Sequence, residues 1–423
     1  MLSPTRLIIQ LSLVTVVYAT TFRPNCTTPL EGTNFVAPPN VRSTTGILWS
    51  SLYTMFICTW VIQHLNVPDP DRIRRPFVYW KPWTWIKQTT WTRLKWMIIT
   101  LIAPEILVGM ALTDYISAHI FVSLKEMKNF KNEWTLVHGY YANQGGLLLH
   151  GEIETDAQAK NPRAVLPFAI NSAQLSYLLK EGLISAQSPI SDEQIEDKGK
   201  SDSFAKASAL LQFVWLIAQL ITRKVQGHRT SQLEIMALSF ATSSIVTYAL
   251  WFEKPQNIET PTNIALVKAL RENDMKALKS KVGKNWEGDW VGRKTIGHFQ
   301  FIDLAPVGDQ NLYYGFGLAI GATMLGACHC IAWNFDFPTT IEQTLWRTAS
   351  ILTTSIVPFW AVTAAFLDNF LSDAVFDIYL WIAVIAYIVG RLYLIIAPFR
   401  DLFYLPPEAF ITTTWTVAFP HFG

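Results

Sequence analysis

The sequence is poor in charge and in cysteine. Only 16% of its 423 residues are charged while half are hydrophobic, which is too apolar for an ordinary soluble chain of this length. Its four cysteines, Cys26, Cys58, Cys328 and Cys330, are too few and too scattered for a disulfide framework. A net charge of +2 does not suggest a nucleic-acid partner. These absences exclude an ordinary soluble enzyme and a disulfide-rich secreted domain.

Several motifs of known membrane proteins are also missing. The last apolar block contains no lysine for a retinal Schiff base, and no aspartate-rich diphosphate motif occurs in any block. No Walker sequence is present for an ATP-driven pump. The connecting segments are very unequal in length, which disfavours an inverted-repeat transporter.

The apolar residues fall into blocks about as long as the ~20 residues that a helix needs to cross the hydrocarbon of a bilayer. Seven spans are predicted, at residues 46–65, 94–116, 207–221, 233–252, 312–333, 350–367 and 376–398. The third is short, so a buried or interfacial helix is the alternative there. The predicted fold is an all-α, seven-helix transmembrane bundle with two long, partly helical loops outside the membrane.

The N-terminus has the layout of a secretory signal peptide, predicted for residues 1–19. Arg6 precedes a short apolar run, and Ala19 follows as a small cleavage-site residue. Residues 20–45 are then lumenal or extracellular. They contain Asn25 in the chain's only Asn-x-Ser/Thr sequon, a candidate glycosylation site.

This orientation makes the first loop cytoplasmic. The loop is rich in basic residues, as the positive-inside rule requires: Arg72, Arg74, Arg75, Lys81, Lys87 and Arg93. The long loops at 117–206 and 253–311 then face the lumen, and the tail at 399–423 is cytoplasmic. The protein is predicted to lie in a membrane of the secretory pathway, either the endoplasmic reticulum or the plasma membrane.

Helical spacing is expected within both long loops. Residues 166–184 carry leucines at helical intervals. Residues 264–279 alternate apolar and basic side chains, which predicts a basic amphipathic helix that lies on a membrane surface or caps the bundle. Residues 134–150 are rich in aromatics and are interpreted as an aromatic belt segment, with a re-entrant element as the alternative.

Three motifs carry a resemblance to a known family. They are Trp251-Phe-Glu-Lys-Pro255, Cys328-His-Cys-Ile-Ala-Trp-Asn-Phe335 and Leu405-Pro-Pro-Glu408. With them, and with similarity over most of the chain, the sequence resembles a family of fungal multi-pass membrane proteins of largely unknown function. Some members are encoded beside natural-product genes, so the resemblance implies a biosynthetic role. It implies no catalytic residues.

Glu105 is the first candidate catalytic residue, because ionisable groups inside spans are costly and often functional. It follows Pro104, which removes a backbone hydrogen bond and opens the helix. A buried carboxyl there could donate a proton to an alkene, epoxide or carbonyl. A structural carboxyl bonded to another helix is the alternative. Asp114, nine residues later, is expected to point away from Glu105.

Arg391 and His329 complete the candidate set. Arg391 could pair with Glu105, Asp114 or an anionic ligand, although snorkelling towards the interface is the favoured interpretation. His329 stands between two cysteines, yet three adjacent residues cannot converge on one metal ion, so a capping or proton-relay role at the cytoplasmic rim is favoured. No metal or cofactor is predicted.

Two classes of function remain open at the level of sequence. One is an intramembrane enzyme that cyclises or isomerises a lipophilic precursor by acid catalysis, with Glu105 as the acid. The other is a non-catalytic protein that transports or senses a metabolite. The expected partners are the lipid bilayer and a lipophilic small molecule, and the sequence does not define the oligomeric state.

Overall fold

The computed structural model describes residues 34–37, 42–68, 88–130, 133–153, 163–199, 203–281, 310–367 and 373–412. The predicted signal peptide, Asn25 and most of the basic first loop lie outside these residues.

Helices dominate the described parts of the chain. In chain order the elements are α1 (Thr44–Val61), α2 (Gln88–Ile102), α3 (Pro104–Ser123), α4 (Leu136–Asn143), β1 (Leu147–Ile153), β2 (Arg163–Ala169), α5 (Ser172–Lys180), α6 (Asp192–Lys198), α7 (Ser203–Val225), α8 (Gln232–Leu250), β3 (Thr262–Ala265), α9 (Glu272–Ser280), α10 (Gln310–Cys330), α11 (Thr340–Leu367) and α12 (Asp373–Asp401). Short 3₁₀ turns follow at Lys125–Phe130, Leu402–Tyr404 and Pro407–Phe410.

Three helical stretches among the described residues are long and apolar enough to cross a membrane. They are Pro104–Ser123, Gln232–Leu250 and Trp381–Tyr404. The other predicted spans also fall on helices, but these helices do not meet the same requirement of length and composition. The sequence-based prediction of seven equivalent spans is therefore not supported.

The fold is also not all-α, because the two long loops build one small α/β domain. β1 pairs antiparallel with β2 and parallel with β3, giving the strand order β2-β1-β3. One apolar core joins both loops, from Phe168 and Leu178 in the first to Ile264 and Leu278 in the second. Strand pairing between segments more than a hundred residues apart is a long-range interaction that helical spacing cannot reveal.

Helices form within both loops as predicted, at α5 and α9, but their predicted extents were wrong. Residues 166–184 also contain the end of β2, and residues 264–279 begin in β3 and form a helix only at α9. Residues 134–150 are not an aromatic belt. Trp134 is 1% exposed in the core of the α/β domain, and its indole nitrogen donates to the Ala186 carbonyl at 2.9 Å.

The predicted span 94–116 is divided at Ala103, where φ is −143° and ψ is 75°. α2 and α3 turn back at Ala103, since Arg93 and Asp114 both lie at the end of the bundle where α1 and α8 end, and where the His64 and Trp251 rings are 5.4 Å apart. The Arg93 guanidinium stacks on Trp60 near the end of α1, and Asp114 bonds Lys254 just after α8. Proline is well suited to start a helix because its missing N–H is not needed there, so Pro104 begins α3 instead of kinking one long helix.

The bundle has two ends, which we call the domain end and the tail end. At the domain end, the Val67 N–H after α1 donates to the Gln144 carbonyl at 2.8 Å. At the tail end, the Arg42 N–H before α1 donates to the Phe410 carbonyl at 3.0 Å. The predicted placement of 20–45 and 399–423 on opposite sides of a membrane is thus contradicted, because segments separated by a bilayer cannot share a hydrogen bond.

Buried arginine holds the tail in place. Arg223 at the end of α7 is 1% exposed and donates to the carbonyls of Ala409 at 2.9 Å and Ile411 at 2.7 Å. Arg42 forms an ion pair with Glu234 in the first turn of α8. The first turn of α8, the end of α7 and the chain before α1 therefore meet at the tail end.

Candidate functional site

Three of the four candidate residues lie in the same interior region of the bundle. Glu105 stands in the first turn of α3 and is 4% exposed. α10 crosses it at backbone contact, because a Cβ added to Gly321 would lie only 2.8 Å from the Glu105 Cα. The small-residue spacing of Gly317 and Gly321 thus packs α10 on α3 within the chain, and this packing fixes Glu105 at the crossing.

Arg391 faces inward from α12, so snorkelling is the wrong interpretation. It is 2% exposed, its Nε donates to the Ile102 carbonyl at 3.1 Å, and its guanidinium lies 5.3 Å from the ring centre of Phe240. The carbonyl is available because α2 ends there. Arg391 attracts the Glu105 carboxyl electrostatically, but no hydrogen bond joins them, since both terminal nitrogens of Arg391 are without a partner among the described residues.

Tyr387 is a member of this region that the sequence reasoning missed. It precedes Arg391 by one helical turn on α12, and its hydroxyl lies beside the Glu105 carboxyl. Tyrosine is common inside apolar spans, so the residue type alone did not indicate that Tyr387 belongs to a site. Its spacing of four residues from Arg391 could have revealed it.

His329 is fully buried instead of capping a rim. Its Nδ1 lies 2.7 Å from the Leu325 carbonyl, its own carbonyl accepts from the Trp346 indole at 3.1 Å, and it is within electrostatic reach of Arg391. Its Nε2 has no hydrogen-bond partner in the part of the chain that the structure describes. Over the residues that the structure describes, no group of three His, Cys, Asp or Glu is placed to hold a metal ion.

Asp114 does not join this region. Its Oδ2 accepts from Lys254 Nζ at 2.7 Å and from the Trp251 indole at 2.9 Å. Lys254 is buried, with 2% of its side chain exposed. The pair joins α3 to the chain after α8 at the domain end, which is a structural role.

The interior region, which we call the polar core, is defined by Glu105, His329, Tyr387 and Arg391. Among the described residues, four of its buried polar atoms have no hydrogen-bond partner: Glu105 Oε2, His329 Nε2, and Arg391 Nη1 and Nη2. An unpaired buried polar atom costs about 1–3 kcal/mol. Water or a polar ligand group at this position would remove most of the cost.

The α/β domain contains a second polar site, beside a cavity of about 360 Å³ lined by His138, Ser188 and Asp192. Ser188 Oγ lies 3.1 Å from His138 Nε2, and Asp192 Oδ1 lies 3.0 Å from His138 Nδ1. This spacing resembles a serine nucleophile with its base. However, the Ile190 carbonyl lies closer to Nε2, at 2.8 Å, and the Thr135 N–H donates to Nδ1. His138 therefore caps α4 and holds the neighbouring loop, and Ser188 is not activated.

A group of polar and charged side chains also joins two helices of the α/β domain, α5 and α9. The Tyr177 hydroxyl donates to Asp274 Oδ1 at 2.9 Å, and burial together with this carboxylate raises the pKa of Tyr177 to about 12. Burial opposes the charge of Asp274, but hydrogen bonds from Arg271 and Tyr177 lower its pKa overall. These groups fix α9 on α5 and lie far from the polar core in the fold.

The fold and the polar core define a class: a largely helical protein with candidate membrane-spanning helices, a small α/β domain and a buried polar site between helices. Within that class, the chain belongs to a family described as a family of unknown function (DUF8562), whose model matches residues 13–280. No curated protein and no solved structure matches the chain.

Proposed function

We propose that the chain is a multi-pass membrane protein of the secretory pathway whose polar core acts on a lipophilic small molecule. The observation that carries the proposal is the set of four unpaired polar atoms, among the described residues, around Glu105 and Arg391. Nature retains costly ionisable groups inside apolar helices mainly for function. A ligand group with both donors and acceptors offsets their cost, whereas an apolar ligand does not.

The same contacts support a topology of six crossing helices and one re-entrant hairpin. α1, α7, α8, α10, α11 and α12 each run between the two ends, while α2 and α3 enter and leave at the domain end. The two loops that build the α/β domain flank the pair α7 and α8, so if α8 crosses, α7 crosses in the opposite direction. The break at Ala103 is tolerated at membrane depth because the Ile102 carbonyl that it frees accepts from Arg391.

The chemistry that we propose is proton donation by Glu105 to the precursor, in a cyclisation or isomerisation of the kind found in fungal secondary metabolism. Tyr387 and Arg391 lie beside the carboxyl and position it. The aromatic ring of Phe240 is close enough to stabilise developing positive charge. No cofactor is required for a proton transfer of this type.

Glu105→Gln tests the acid, because it keeps the shape of the side chain and removes its proton. The chain is expressed in a host that lacks it, and the extracted lipophilic compounds are compared by mass spectrometry. We expect a new compound with the wild type, none with Glu105→Gln, and normal formation with the matched control Glu253→Gln, whose side chain is exposed. Undiminished product from Glu105→Gln would show that the acid assignment is wrong.

Transport is a second candidate, favoured by one observation. A helix broken near the middle of a bundle, with a charged residue bound to the freed carbonyl, is typical of the binding sites of transporters. Ile102 and Arg391 form such a contact at the end of α2. A compound that changes compartment without changing mass in the same experiment would support transport over catalysis.

Orientation follows from the N-terminal segment. A lumenal Asn25 places the tail in the lumen as well and the α/β domain in the cytosol. Glycosylation mapping tests this: we expect glycans at Asn25 and at a sequon added after Gly423, and none at a sequon placed in residues 154–162. Modification of Asn25 without modification of the C-terminal sequon would contradict the six-crossing topology.

A further inference from the structure

We infer that the polar core binds the carboxylic acid group of an amphipathic molecule whose apolar chain lies in the bilayer. This rests on the proposed function, because it names the class of ligand for the same site. The donors and acceptors of the polar core, its net charge and the apolar surface beside it each support the inference.

The two unpaired nitrogens of Arg391 are suited to a ligand group with two acceptor atoms. Its Nε is occupied by the Ile102 carbonyl, while Nη1 and Nη2 are both unpaired and held in a rigid plane. Two parallel N–H donors match the two oxygens of a carboxyl group, which a single hydroxyl or ketone oxygen cannot match. The bound Nε fixes the direction of this fork before any ligand arrives.

Glu105 and Arg391 together accommodate the acid group. The polar core contains one guanidinium, so Glu105 and a bound carboxyl group can carry one negative charge between them without an uncompensated charge inside the bundle. The two carboxyl groups then share one proton, with the O–H of one donating to an oxygen of the other, while the oxygens of the ligand accept from Arg391. Two carboxyl groups that share one proton are a known arrangement in proteins.

The surface beside Arg391 is apolar and exposed. Ile102 at the tip of α2 is 52% exposed, and Ile388 and Leu392 on α12 are 49% and 45% exposed. An apolar chain attached to the bound carboxyl can therefore pass between the tip of α2 and α12 into the lipid, without a large cavity in the bundle.

A photo-crosslinking assay tests the inference on the purified full-length chain in lipid nanodiscs. The probe is palmitic acid with a diazirine in its chain, and its methyl ester and the corresponding alcohol are the comparison ligands. We expect the acid to bind at least tenfold more tightly than either, with adducts on α2 or α12. Equal binding of the ester or the alcohol, or adducts only elsewhere, would overturn the inference.

Variants of two arginines make the assay specific. Arg391→Lys keeps the charge and loses the fork, so we expect at least a tenfold loss of affinity for the acid and no change for the alcohol. The control is Arg347→Gln, which removes an arginine that stacks on Trp333 outside the polar core. An equal loss in both variants would refute the role of Arg391.

The binding assay and the product assay together separate the two proposals. Tight binding of the acid without any product would refute the proposed catalysis alone. Product formation from a precursor that lacks a carboxyl group would refute this inference alone.

Discussion

The contact between α3 and α10 leads to a quantitative prediction, because two glycines of α10 differ in what surrounds them. A Cβ added to Gly317 would lie 2.5 Å from the Gly109 Cα and 3.0 Å from the Val108 carbonyl oxygen. A Cβ added to Gly315 would meet no atom within 4 Å. Both positions lie in one helix, so both gain about 1 kcal/mol of helix propensity when glycine becomes alanine. The difference between the two variants therefore isolates the clash.

Overpacking of this kind costs about 1–3 kcal/mol, and the upper part of the range applies because backbone atoms cannot rotate away. We expect Gly317→Ala to unfold at a temperature several degrees below that of Gly315→Ala, and Gly315→Ala to equal or exceed the wild type. Thermal unfolding in detergent, followed by the loss of the monodisperse peak in size-exclusion chromatography, measures both. Equal midpoints for the two alanine variants would mean that α3 and α10 do not touch at the backbone.

Three further predictions concern the rest of the chain. Asp114→Asn should lower stability by roughly 3 kcal/mol, because it leaves the buried Lys254 without its carboxylate, and adding Lys254→Met should recover most of the loss in the same unfolding assay. The pKa of Asp274 is lowered in the folded state although burial opposes this, since Arg271 donates to it from N and Nε. Its contribution is thus present above the unfolded pKa of about 3.9 and lost as pH falls further, so Asp274→Asn should lower the unfolding midpoint at pH 7 and flatten its fall between pH 5 and 3. Arg223→Gln should release the tail, and limited proteolysis should then remove it faster than in the wild type, with no change expected in the α/β domain.

The helices were largely predictable, whereas the α/β domain was not. A helix such as α8 reveals itself by an unbroken apolar run and a capping serine, both of which are local in sequence. β3 has only four residues, Thr262–Ala265, and becomes a strand only because β1 lies beside it. The basic residues that follow it, such as Lys268, imitate one face of a helix. Residue spacing alone could not distinguish a short strand followed by basic residues from an amphipathic helix.

The polar core was predictable in its parts but not in its arrangement. The cost of a charge in an apolar span correctly marked Glu105 and Arg391 as unusual. Their meeting depends on the crossing of α3 with α10 and on the carbonyl that α2 frees at Ile102. Neither of these is a property of a single helix. Asp114 satisfied the same criterion of cost, and only its contact with Lys254 shows that it serves the fold.

The number of membrane crossings was predicted wrongly because a hydropathy profile does not record the direction in which the chain runs. Residues 94–116 are predominantly apolar, so they score as one span whether the chain continues or turns back at Ala103. Charge did not correct the count, since basic residues occur both in the sequence of the first loop, at Arg72, Arg74, Arg75, Lys81, Lys87 and Arg93, and among the described residues of the tail end, at Arg42, Arg223, Lys224, Arg229, Arg347 and Arg400. A seventh crossing reconciles these two groups with the positive-inside rule, but it separates Arg42 from Phe410. The hydrogen bond between those residues therefore decides against it, because a bond between two segments places both on one side of the membrane whatever the charges favour.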